Sequence, residues 1–177
     1  EQFLRDVWFG DLDVLLLDLP PGTGDVAISV GQLLPQAEVV VVTTPQPAAA
    51  DVAVRSALVA RQTGQRVVGV IENMAGLAQP DGTVLELFGS GGGKAVAERL
   101  STPISSEDQP TAVAPEPVPL LGSIALSPGF RASGDEGTPA VLALPTDPAA
   151  RELTRIAALL ASMPRGLSGA SLPLNHG

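Results

Sequence analysis

The sequence contains no cysteine and no tyrosine, and only one histidine, one tryptophan and one lysine among 177 residues. Without cysteine the chain has no disulfide, no thiolate metal ligand and no thiol nucleophile. The lone histidine, His176, stands next to the last residue, which argues against a histidine-based catalytic triad or a multi-histidine metal site. Aromatic residues make up only 3%, so aliphatic side chains must fill the core. Cations are scarce as well: ten Lys and Arg face nineteen Asp and Glu, for a net charge of −9. Such a surface repels phosphate backbones, and no nucleic-acid partner is expected. No apolar run reaches the roughly 18 to 20 residues that span a bilayer, so no membrane partner is expected either. The opening Glu1-Gln2-Phe3-Leu4-Arg5-Asp6 is neither a signal peptide nor a start at methionine, and the expectation is a segment of a longer protein.

What is present suits a globular domain. Hydrophobic residues account for 45% and charged residues for 16%, and mean hydropathy is +0.28, which excludes a disordered chain despite 17 Pro and 19 Gly. A chain this long buries roughly 70% of its extended surface.

Apolar runs punctuate the chain at Val14–Leu19, Val39–Thr44, Val67–Ile71 and, more weakly, Val118–Ile124. None alternates apolar with polar residues, which fits strands buried on both faces of a parallel sheet. Helical patterns fall between and after them, at Asp25–Leu34, Ala48–Gln62, Gly93–Leu100 and Ala149–Met163. Asp51 near the start and Arg61 near the end of the second suit the helix dipole, and Gly64 reads as its stop. In the last helix Leu153, Ile156, Ala157 and Leu160 form one stripe, read as docking on the sheet rather than lying on a membrane. Strand and helix alternating at this spacing predict a doubly wound, mainly parallel α/β sheet. Residues 102–117 hold four prolines and read as a surface loop, and 164–177 as a frayed tail.

Three places invite chemistry. Asp18 ends the first run, ahead of Leu19-Pro20-Pro21-Gly22-Thr23-Gly24-Asp25. In open parallel sheets ligands gather outside the carboxyl ends of the strands. A carboxylate there can hold Mg²⁺ through water, and the glycines let backbone N–H groups approach a phosphate. The plainer alternative is a strand that ends in Asp before a Pro-Gly turn. Glu72-Asn73-Met74 ends the third run; an Asn amide suits the edge of adenine, or else it caps a loop. Phe88-Gly89-Ser90-Gly91-Gly92-Gly93-Lys94-Ala95 imitates a phosphate-binding loop but does not satisfy G-x-x-x-x-G-K-[ST]. Ala95 lacks the hydroxyl and Phe88 replaces the first glycine, so it reads as a glycine-rich turn opening a helix, whose free N–H groups could meet an anion weakly. Asp81-Gly82 reads as a hairpin turn.

Taken together these segments resemble the Mrp/ApbC family of P-loop ATPases, relatives of MinD, ParA and the nitrogenase iron protein. The matching residues are Asp13–Val26 with its Asp-Leu-Pro-Pro-Gly-Thr-Gly-Asp string, Thr43-Thr44-Pro45-Gln46, Asp51-Val52-Ala53, Gly69–Met74, Phe88–Gly93 and Val118–Gly122, over about residues 1 to 160. The resemblance implies a SIMIBI-type P-loop NTPase fold, residues 1–163 being the C-terminal portion of one such domain. It implies that Asp18 holds the Mg²⁺ shell and Gly22 senses the γ-phosphate, and that Asn73 reads adenine with Pro119 lining the base. It also implies a cytoplasmic homodimer that sandwiches ATP and passes iron–sulfur clusters to apo-proteins.

Two departures qualify this. The family's phosphate-binding loop belongs upstream of anything matched here, and nothing before Asp13 resembles it, so this segment alone is expected to hydrolyse negligible ATP. Many members carry Cys-x-x-Cys where this chain has Gln79-Pro80-Asp81-Gly82, so no iron–sulfur cluster is expected at the familiar site. A nucleotide-switched scaffold of the same fold without a cluster is therefore the second reading. A MinD/ParA-type positioning ATPase would need a basic tail or surface that is absent, and a short structural pseudo-enzyme is the remaining alternative.

Overall fold

A computed structural model describes residues 2–20, 22–79, 81, 83–102 and 116–163. Its elements in order are α1 (Gln2–Arg5), α2 (Asp25–Leu33), β1 (Glu38–Thr43), α3 (Pro47–Gln62), β2 (Arg66–Asn73), β3 (Leu77–Ala78), β4 (Val84–Leu85), α4 (Gly92–Ser101), β5 (Leu120–Ile124), α5 (Pro128–Asp135), α6 (Ala140–Ala143) and α7 (Pro148–Ser162).

β1, β2 and β5 form a parallel sheet in the order β1-β2-β5, each pair joined by a helical crossover. Helices lie on both faces of the sheet, and cover is complete along β2, which reads as an unbroken apolar run. On one face Val41, Val67 and Val70 pack against Ala50, Ala53, Val54 and Ala57 of α3 and Val96, Ala97 and Leu100 of α4. The small side chains of α3 recur at helical spacing and let it lie close to the strands. On the other face Ile71, Leu121 and Ile124 meet Ala149 and Ile156 of α7, with Phe130 of α5 packed alongside. Leu153, Ile156 and Leu160 of the α7 stripe thus dock on the sheet, while Ala157 is exposed. The antiparallel pair β3–β4 leaves the sheet as a small hairpin, its turn held by the Asp81 carboxylate, which accepts from the Thr83 N–H and hydroxyl at 2.9 and 2.6 Å.

Two expectations are corrected. Val14–Leu19 is not a buried strand: residues 14–20 have no regular structure, and Leu16 is 86% exposed. A parallel strand exists only through hydrogen bonds to a neighbour, and among the described residues none pairs with this run. The fourth run begins its strand at Leu120, not Val118, because pairing to β2 starts at Val70↔Leu120. Helices α5 and α6 lie outside every helical pattern named from the sequence. Most of the proline-rich loop (103–115), the tail (164–177) and Gly82 lie outside the described residues.

Candidate functional site

The carboxyl ends of β1, β2 and β5 lie side by side, with Thr43 in register with Glu72, and Asn73 with Ile124. The chain leaving each strand turns there, and the first turn of α4 closes over two of the three ends. A Cβ on Gly92 would stand 2.5 Å from the Thr44 carbonyl oxygen and 2.7 Å from that of Pro45. Only glycine permits this approach of helix to loop.

Glu72 is the buried charge of this edge, 5% exposed. Its Oε2 accepts from the Gly93 N–H at 2.6 Å, and the Ser123 hydroxyl donates to Oε1 at 3.5 Å. The carboxylate thereby satisfies one of the orphan donors at the start of α4 and sits at the positive end of its dipole. The Gly93 N–H expected to be free for an anion is already taken by the chain itself, so the glycine-rich turn is a packed helix start. Lys94, which follows it, points away into an exposed pair with Glu98 at 3.8 Å.

Asn73 is half-buried at the end of β2. Its Oδ1 accepts from the Met74 N–H at 2.9 Å, and Met74 takes a left-handed φ of +58°. This conformation is costly for a residue with a Cβ and persists only where its surroundings enforce it. Here the Ala75 N–H donates to the Ile124 carbonyl at 3.0 Å and the Leu126 N–H to the Gly76 carbonyl at 2.7 Å, binding the exit of β2 to the exit of β5. Beyond it, the Ser127 hydroxyl accepts from the Phe130 N–H at 3.0 Å and so caps α5. The same hydroxyl donates to Oδ2 of Asp147, whose Oδ1 caps α7.

The structure sets Asn73 in register with Ile124, whereas Pro119 lies beside Val70. β2 and β5 run parallel, so only the end of β5 can face Asn73. The Pro119 carbonyl instead accepts from the Val70 N–H at 2.9 Å, three residues earlier on β2 and so about 10 Å back along the strand. Asp18 lies exposed in the irregular segment before Gly22. Gly22 has φ +93° with open space around it, so it is needed for its backbone angle rather than for room. Among the described residues no group of three or more His, Asp or Glu is placed to hold a metal ion. No described helix is long and apolar enough to cross a membrane. An open, mainly apolar cleft of about 320 Å³ between α5, α6 and α7, lined by Phe130, Pro139 and Leu153, contains none of these site residues.

Sequence reasoning missed Glu72 and the Ile124–Ser127 turn. The signal for the first was an acid closing an apolar strand; for the second, the polar-to-proline break at Ser127-Pro128 after β5.

Residues 1–161 match the ParA family of NUBPL iron-transfer P-loop NTPases. A protein of Mycobacterium tuberculosis named iron-sulfur cluster carrier protein is 57% identical over 175 residues, 99% of this chain and 43% of its own length. Proteins of the same name from Synechocystis and Saccharolobus solfataricus are 39% and 37% identical, covering 90% and 89% of this chain and 41% and 48% of their own lengths. The chain thus spans less than half the length of these relatives.

Proposed function

The chain belongs to the ParA family of NUBPL iron-transfer P-loop NTPases, and from that premise we propose that it forms the base-binding part of an ATP-driven switch in iron–sulfur protein maturation. The observation that carries this reading is the Asn73 amide at the carboxyl edge. Its Oδ1 is oriented by the Met74 N–H, which leaves Nδ2 to donate to an adenine ring nitrogen and the second Oδ1 lone pair to accept from the exocyclic amine. Guanine offers an oxygen where adenine offers that amine, so the same amide disfavours it. In this reading the chain following Ile124, which is in register with Asn73, lines the base.

In the same reading Gly22 senses the γ-phosphate and Asp18 faces the Mg²⁺ shell through water. One exposed carboxylate is not a metal site, so the remaining Mg²⁺ and phosphate ligands must come from outside this segment. With no G-x-x-x-x-G-K-[ST] in the sequence, this segment alone turns over negligible ATP. In the whole protein, ATP joins two copies in the cytoplasm, hydrolysis parts them, and the change alters affinity for an apo-protein client.

A cluster would be cargo, and this chain has no thiolate to hold it. That absence favours a second reading, a nucleotide-switched scaffold that carries no cluster. Iron and sulfide content of the full-length protein after reconstitution separates the two: stoichiometric iron surviving desalting supports the carrier, and none supports the scaffold. The shared nucleotide reading is tested by Asn73→Ala in the full-length protein. ATP affinity measured by calorimetry should fall about tenfold, the worth of one or two net hydrogen bonds; unchanged ATP affinity overturns it.

A further inference from the structure

The chain that leaves β2 at Asn73 meets the sheet again at Gly92 and Gly93. Among the described residues in between are the hairpin β3–β4, two residues per strand, with Val84 and Leu85 both exposed, and an isolated bridge from Leu87 to Gly89. Such a hairpin has too little buried surface to hold a conformation by itself. Yet its root is held in a strained shape, with Met74 at φ +58°. Three contacts fix that root. Two are the backbone bonds from Ala75 to Ile124 and between Leu126 and Gly76. The third is the Glu72 carboxylate on the Gly93 N–H, which joins the two ends of the excursion across 21 residues of sequence.

This third contact is unlike an ordinary surface cap. Glu72 is buried, and a Cβ on Gly93 would stand 2.7 Å from the Glu72 Cβ and 2.9 Å from Leu120 Cδ1. The helix start is therefore pressed onto the strand immediately beside Asn73. A buried carboxylate costs much free energy unless its oxygens are hydrogen-bonded, and both oxygens here have a donor. An apolar residue in its place would fit the surrounding core without that cost. A carboxylate whose donor is the opening turn of α4 locks that turn in one position.

We propose that Glu72 is a positioning residue for nucleotide recognition: by clamping the start of α4 onto the end of β2, it fixes the turn from which Asn73 presents its amide to the base. The proposal rests on Asn73 as the base reader, and predicts an effect confined to the base. A defect in folding or in phosphate contacts would not be so confined.

The test uses the full-length protein and two probes, ATP and inorganic tripolyphosphate, which has no base. Glu72→Ala removes the acceptor, Glu72→Asp keeps the charge but withdraws it by one methylene, and Glu72→Gln keeps the length and one acceptor oxygen. For Glu72→Ala and Glu72→Asp, ATP affinity should fall roughly fivefold to tenfold, with tripolyphosphate affinity unchanged. Glu72→Gln should recover ATP affinity to within about threefold of the parent. If Glu72→Ala does not fold, Glu72→Asp decides. Equal losses for both probes, or unchanged ATP affinity in a folded variant, overturn the proposal. Asn73→Ala run in parallel separates the two failures. If it weakens ATP while the Glu72 variants do not, the clamp alone is wrong; if it leaves ATP untouched, the base reading falls and the clamp's role with it.

Discussion

Two apolar stretches of this chain, the leucine-rich Val14–Leu19 and the valine-rich Val67–Ile71, are opposite in fate. Val70 is fully buried, with β1 on one side, β5 on the other and α3 and α4 beneath. Leu16 is 86% exposed, in a segment with no strand beside it. The difference lies in the neighbours. A strand is completed by partners on its edges and cover on its faces; β2 has all of these, and among the described residues the earlier run has none. β1 is intermediate: Val41 is buried, but Val42 is 59% exposed and no described strand pairs with its outer edge. The molecule is thus well packed from β2 outward to α7 and open on the side of β1.

The contrast can be broken by mutation. Ile71→Ala should cost about 2–5 kcal/mol of unfolding free energy, because it removes buried methyl groups and leaves a cavity between β2 and α7. Leu16→Ala should change it by less than about 0.5 kcal/mol. Denaturant titration of both variants checks this, and comparable losses would mean that the first run is packed after all. A smaller effect tests how the well-packed side is tied together. Asp147→Ala removes both the cap of α7 and the acceptor for Ser127, and should cost about 1–2 kcal/mol by the same measurement. An unchanged midpoint for Asp147→Ala would show that this region owes nothing to its caps.

The smallest effect is one of pH. The Arg155 guanidinium, hydrogen-bonded to Glu152, holds that carboxyl below its usual range, partly opposed by burial. A carboxylate with a lowered folded-state pKa contributes stability above its unfolded pKa and loses it as pH falls through the folded one. Glu152→Gln should therefore slightly lower stability at neutral pH and flatten its decline on acidification. Urea midpoints at pH 7 and pH 3 measure this; a decline as steep as the parent's would show that the pair contributes nothing.

Much of the edge was legible from local pattern. The runs that became β1 and β2 bracket an alanine-rich helix, and an Asn closing a buried strand is already at the place where ligands gather. Other features were not. Pro119 stands in the same apolar run as Ile124, and only the register against β2 decides which end meets Asn73. Pro128–Asp135 contains two glycines and little periodicity, yet forms a helix because Ser127 caps it and Phe130 packs on the sheet. Glu72 looked like a polar residue ending a strand; its partner is 21 residues away and is brought to it by the return of the hairpin.

By itself the sequence determined the alternation of strand and helix, the absence of any thiolate chemistry and the family. Each of these follows from which residues are present and how they are spaced along the chain. Tertiary structure alone decided that Val14–Leu19 stays uncovered, that Ile124 rather than Pro119 stands in register with Asn73, and that the glycine-rich turn is closed by Glu72. Strand pairing, register and burial are properties of what lies alongside a segment, and no segment carries its own neighbours.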